Sequence, residues 1–237
     1  MNTSFGDRIK NNYESRTRYL LPRRTFTVIR LDGCSFKNFT KNLNKPFDRK
    51  LIEIMALTTQ YLVKNIQGVA FGYTQSDEIS LLLTDFAKET TDAWFDGSIQ
   101  KMVSVSASMT SSYFNHLWQQ HKPESNLAIF DSRVFTIPDK TEVENYFIWR
   151  NKDCERNSIN TAAQSMFSHK ELQGKNIKEV QELMFSERGI NWSSHYKDDE
   201  KNGTIVVYEN NTYTIKSGWH FSKNREDLKK MIPSFSE

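Results

Sequence analysis

Apolar positions in this chain recur with two different periods, in short alternating blocks. Residues 6–20 are polar with scattered apolar positions and read as a helix ended by Leu21-Pro22. Residues 25–31 (TFTVIRL) are rich in β-branched and apolar side chains and read as a strand that stops at the turn pair Asp32-Gly33. Residues 49–65 carry Leu51, Ile52, Met55 and Leu62 on one helical face, with Asp48 placed as an N-cap. Residues 69–73 and 78–83 read as two strands, and 74–77 between them as a hairpin turn. Residues 96–120 carry Met102, Val105, Met109, Tyr113 and Leu117 at steps of three and four, which predicts a long helix with that stripe in the core. Residues 134–137 read as a further strand.

The order strand, helix, strand, strand, helix, strand is the ferredoxin-like, split βαβ arrangement of the α+β class. It predicts an antiparallel sheet with helices on one face and with the first and third strands adjacent. Capping-box spacing at Thr141/Glu144 and Asn176/Glu179 predicts two later helices. Residues 204–217 form two β-rich runs around Asn210-Asn211, a hairpin signal. The last 20 residues carry no firm pattern. This divides the chain into a core, 1–139, and a C-terminal part, 140–237, whose helices and hairpin pack on that core as one structural unit.

Composition narrows the class. No run approaches the ~20 apolar residues that span a bilayer, and the first residues lack the apolar stretch of a secretory leader. Aromatic residues at 13% argue against disorder. The two cysteines, Cys34 and Cys154, form no metal-ligand pair, which excludes zinc ribbons and disulfide scaffolds. A reducing, cytoplasmic compartment follows, with an organelle left open. Net charge is only +3, but residues 1–30 hold seven basic side chains against Asp7 and Glu14. That basic end reads as a strip for RNA phosphates or as a solvated helix face.

The candidate chemistry lies in acids at turns. Asp32 closes the first strand, and Asp77-Glu78 sits in the hairpin of its neighbour. The topology lets Asp32 and Asp77 converge at one end of the sheet. Converging carboxylates there make an oxygen site for Mg²⁺, and two such ions are the recurring device of nucleotidyl transfer. Gly33 leaves room for a carbonyl or phosphate to approach. Each acid taken singly is equally a turn former. Backbone N–H groups of Cys34, Ser35, Phe36 and Lys37 are candidates for a triphosphate. Lys45, Lys101 and Arg133 are candidate phosphate cations, each also an ordinary surface charge. The histidines His116, His121, His169, His195 and His220 have no ligand spacing. Cys34 has no histidine nearby in sequence to activate it as a nucleophile.

Several motifs together resemble one family. Residues 30–36 (RLDGCSF), 45–48 (KPFD), 72–78 (GYTQSDE), 108–114 (SMTSSYF), 130–134 (FDSRV), Trp149-Arg150 through Asp153-Cys154, and 183–187 (LMFSE) occur in the order of the histidine-tRNA guanylyltransferase superfamily. The resemblance covers about residues 5–210. It implies a palm-like domain similar to polymerase and cyclase palms, and template-dependent 3′-to-5′ addition of nucleotides to the 5′ end of tRNA. It implies two Mg²⁺ ions on Asp32, Asp77 and the Gly33 carbonyl, with Glu78 as a further acid of the catalytic set. ATP and GTP or other nucleoside triphosphates are the implied substrates, held by Asp32, Gly33, Cys34, Ser35, Phe36, Lys37, Lys45, Asp48, Ser76, Asp77, Lys101 and Arg133. It also implies a homo-tetramer built as a dimer of dimers.

The chain departs from the eukaryotic enzymes after Cys154. Residues 155–161 (ERNSINT) replace their His-Ile-Asn-Asn-Leu-Tyr-Asn signature, which is similar to the guanylyltransferase-like branch associated with repair of 5′-truncated tRNA. A non-catalytic RNA-binding palm module and a palm-fold nucleotide cyclase are the two alternatives.

Overall fold

The computed structural model describes residues 4–235. Among these, six strands form one antiparallel sheet: β1 (Phe26–Gly33), β2 (Val69–Gln75), β3 (Glu78–Leu83), β4 (Phe130–Ile137), β5 (Thr204–Glu209) and β6 (Thr212–Ser217). Their spatial order is β4-β1-β3-β2-β5-β6. The first four strands have the ferredoxin-like order, and the C-terminal hairpin prolongs the same sheet beyond β2. Asn210 and Asn211 make the hairpin turn with φ of 49° and 61°, the left-handed pair that a two-residue turn needs.

The helices are α1 (Phe5–Asn12), α2 (Phe36–Phe39), α3 (Arg49–Asn65), α4 (Ile99–His121), α5 (Lys140–Gln164), α6 (His169–Leu172), α7 (Ile177–Arg188), α8 (Trp192–His195), α9 (Asp198–Asn202) and α10 (Arg225–Met231). They cover both faces of the sheet, not one. Ile29, Leu31, Ile79 and Leu81 pack with α3 and α4. The alternate residues Val28 and Leu82 pack with Val143 and Phe147 of α5 and with Phe221, Leu228 and Ile232 of the chain end. Strand alternation makes this two-sided core: buried apolar residues occupy successive positions of β1 and β3, so each face needs its own cover.

α3 has the predicted limits. Asp48 caps it, accepting from the Lys50 and Leu51 amides at 3.0 Å. The helix lies tight on β2 at Gly72, where a Cβ would come within 2.8 Å of Thr59 and Val63 methyls.

Four other expectations change. The polar helix stops at Asn12, and a 3-10 turn covers Glu14–Thr17; α1 buries no residue, so only local support holds it. The stripe of α4 that faces the sheet is Met102, Ser106, Thr110, Phe114 and Trp118, one position away from the apolar stripe after Met102. Ser106 and Thr110 enter the core because their hydroxyls are satisfied, by Ser132 at 2.8 Å and by the Ser106 carbonyl at 2.8 Å. Asp139, not Thr141, caps α5 through the Glu142 amide, while the Asn176/Glu179 capping box on α7 is formed. β1 also continues through Asp32 and Gly33, because the polar start of β4 pairs with it: Asp32 faces Asp131 and Gly33 faces Phe130.

Candidate active site

Asp32, next to last in β1, lies opposite Glu78 of β3 on one side and Asp131 of β4 on the other. Asp77 stands in the two-residue turn between β2 and β3, entered through Ser76 at φ 51°. The Ser76 hydroxyl donates to Asp77 Oδ1 at 3.0 Å. Asp77 folds over Gly33: a Cβ there would lie 2.8 Å from Asp77 Oδ2 and 2.3 Å from the Phe36 ring. Glycine is therefore required by this close approach. Burial pushes the Asp77 carboxyl above its ordinary value, Ser76 and a backbone N–H oppose this, and the charge of Asp32 adds to the rise. Asp32, Ser76, Asp77 and Glu78 line one open cleft of about 430 Å³ with Arg30, Trp149, Arg150 and Arg156.

Glu78 faces basic side chains. Arg150 of α5 donates to both its oxygens, at 2.7 and 2.6 Å, and Arg30 stands 3.7 Å away. Burial acts to lower the Arg150 guanidinium, but the Glu78 carboxylate outweighs it and holds it above its ordinary value. With both oxygens bridged to Arg150, Glu78 ties α5 to β3 instead of offering a free ligand.

Asp32 and Asp77 fit Mg²⁺. Among the described residues, no group of three or more His, Cys, Asp or Glu side chains is arranged to hold a metal by itself. Mg²⁺ does not need one, since it uses one or two carboxylates with waters and substrate phosphates. Asp77, raised by burial and by its like-charged neighbour, is an uncompensated carboxylate of the kind a cation relieves.

The loop after Asp32 divides its roles. The Cys34 amide donates to the Ile129 carbonyl at 2.8 Å and is taken up by the sheet. Ser35 adopts φ 52° and starts α2, where the Asn38 amide donates to the Ser35 carbonyl at 2.9 Å and the amides of Phe36 and Lys37 come too early to find a partner inside the turn. The Phe36 ring is buried among Phe39, Phe114 and Phe130, so its side chain is a core anchor. Lys37 is exposed. The Lys45 ammonium donates to the Thr40 carbonyl at 3.2 Å. Asp48 is buried and accepts from the amides of Asn44, Lys50 and Leu51; its carboxylate holds the 40–48 loop on α3. Lys101 lies in the first turn of α4 with its ammonium over Phe95 at 5.7 Å; it does not line the cleft of the acids. Arg133 is, at 3.9 Å from Asp32 Oδ2 and 3.6 Å from Asp131 Oδ1.

The basic N-terminal end is partly engaged in ion pairs within the chain. Arg23 binds Asp85 at 2.7 Å, Arg18 binds Asp96 at 3.3 Å, and Arg30 lies in the cleft. Three site residues went unassigned in sequence. Asp131 carries a buried oxygen with no hydrogen-bond partner. Arg150 and Trp149 had only their place in a matched motif to signal them. Cys154 is buried, and burial pushes its thiol up to about 12, which leaves it inert.

The family profile described as tRNAHis guanylyltransferase matches residues 6–138, more than half of the chain. The chain belongs to the tRNAHis guanylyltransferase family. It is a nucleotidyltransferase, so the non-catalytic and cyclase alternatives fall away. A bacterial tRNA(His) guanylyltransferase-like protein in complex with ATP superposes with a TM-score of 0.91 at 41% identity, covering 96% of this chain and 99% of that one. A structure of the same description in complex with GTP gives 0.81 at 35% identity, with 96% and 99% covered. The tRNA(His) guanylyltransferase of Saccharomyces cerevisiae is 30% identical over 208 residues, 79% of this chain and 84% of its own. Among the described residues no helix is long and apolar enough to cross a membrane.

Proposed function

We propose that this nucleotidyltransferase adds nucleotides in the 3′-to-5′ direction to the 5′ end of tRNA, 5′-truncated tRNA in particular, directed by the opposite strand. The observation that carries the reading is the placing of Asp77 over Gly33, beside Asp32, in one open cleft. The bacterial guanylyltransferase-like neighbours with ATP and GTP support the choice of nucleoside triphosphates.

Activation joins a 5′-monophosphate oxygen of the RNA to the α-phosphorus of ATP and releases pyrophosphate. The 3′-hydroxyl of the incoming nucleotide then attacks the RNA's 5′ phosphorus, and AMP leaves with the electron pair of the broken bond. A 5′-triphosphate end skips activation and releases pyrophosphate. Asp32, Asp77 and the Gly33 carbonyl would hold two Mg²⁺ ions, which would supply a lowered hydroxyl pKa and an offset for charge on the leaving group. Ser76 keeps Asp77 turned toward Gly33. The amides of Phe36 and Lys37, with the side chains of Lys37, Lys45 and Arg133, receive phosphates. Residues 1–139 are the catalytic core, with 140–237 joined to it as one unit. The working form is a homo-tetramer in the cytoplasm or an organelle.

The test uses purified protein, Mg²⁺, ATP, GTP and a 5′-truncated tRNA. Wild type should lengthen the RNA at its 5′ end, and D77A should abolish this while filter binding of the tRNA stays near wild type. Substantial elongation by D77A refutes the metal assignment, and a cyclic nucleotide as the only product refutes the reaction.

A further inference from the structure

Trp149 lines the cleft that holds Asp32 and Asp77, yet it is 52% exposed. A large apolar ring left open at the mouth of a charged cleft has no role in the core. Nor is it loose. The Arg150 guanidinium lies over the ring at 4.4 Å, and Tyr146 meets it edge-on with centroids 6.0 Å apart. Arg150 is in turn locked by Glu78 and by Asp153 at 2.9 Å. The indole is thus a braced plate with exposed surface beside the cleft. Arg156, one helical turn farther along α5 from Asp153, pairs with Asp153, stays 61% exposed and lines the same cleft. It belongs to the segment 155–161 in which this chain departs from the eukaryotic pattern. The loop carrying Lys37 and Lys45 does not line this wall.

We propose that Trp149 is the plate on which the terminal base of the RNA 5′ end stacks, with Arg156 on the adjoining phosphate. The inference rests on the reading above and adds the side from which the RNA approaches: the α5 wall, across the acids from the nucleotide loop. Stacking suits this end because every base offers a π-face. An end that gains a new base at each addition cannot be held by base-specific hydrogen bonds. The role is that of a positioning residue that touches substrate away from the reacting atoms.

The test measures equilibrium binding of a 5′-truncated tRNA to the full chain, with a fluorescent adenine analogue as terminal base, and the KM for the nucleotide in parallel. W149A should weaken binding about tenfold, within the range for loss of one base stack, and W149F should restore most of it. An abasic terminal nucleotide should weaken wild type by a similar factor, and W149A should add nothing to that loss. The nucleotide KM should not move. Three outcomes overturn the proposal: W149A binding like wild type, W149A weakening intact and abasic RNA alike, or a changed nucleotide KM with RNA affinity intact. Wild type that binds RNA but never extends it would sink the reading of the reaction while leaving this assignment to stand on the binding data.

Discussion

Asp77 shows how one residue carries both function and a cost in stability. Its carboxyl is raised above the usual 3.8 by burial first and by Asp32 last. The folded chain therefore holds that proton more tightly than the unfolded chain, so stability falls as pH rises from about the usual value through the raised one. D77N removes the penalty. Relative to wild type, it should be equal in stability below that window and more stable above it, by about 2–4 °C in Tm for each kcal/mol relieved. Melting curves across pH, without metal, check this. Added Mg²⁺ with a nucleotide should raise the Tm of wild type and not that of D77N. A variant less stable than wild type at neutral pH would contradict the account. Asp32, Gly33 and Asp77 were legible in sequence because turn residues and strand ends announce themselves. The partner of Glu78, the next residue in sequence, was not legible because Arg150 lies 72 residues away.

Between elements, the Glu78–Arg150 pair fastens α5 to β3. Their side chains are only 8% and 6% exposed. R150A would leave a buried carboxylate without its partner, and the expected loss is about 3–5 kcal/mol in urea unfolding at neutral pH. The loss should shrink at acid pH, where Glu78 takes up a proton. The double variant E78L/R150M should recover most of the stability, since well-packed apolar groups often replace a buried pair without loss. A deficit in R150A that is independent of pH would mean the pair is not its source. The α4 stripe makes a related point: Ser106 and Thr110 face the sheet as small residues with satisfied hydroxyls, which a hydrophobic period passes over.

The whole molecule is a sheet closed on both faces. Phe221, Leu228 and Ile232 lie at 0–1% exposure against α5 and the sheet. The chain end therefore finishes the core under the wall that carries Trp149 and Arg150. Ending the chain at Gly218 should abolish cooperative thermal unfolding, read by circular dichroism, and with it RNA binding. A truncated chain that melts like the full one would show the second face to be dispensable.

By itself, the sequence determined the first four strands and their order, the limits and cap of α3, the Asn210-Asn211 turn, and the two acids that meet at the sheet end. Each follows from local chemistry: period, cap or turn, acting within a few residues. Tertiary structure decided the rest. β1 reaches through Gly33 because a polar strand pairs with it. Glu78 belongs to Arg150, and Asp48 to its loop. Lys101 sits over Phe95, outside the cleft of the acids, and a chain end with no visible pattern closes the second face. Those outcomes depend on which distant groups satisfy one another once water is excluded, and no local period records that.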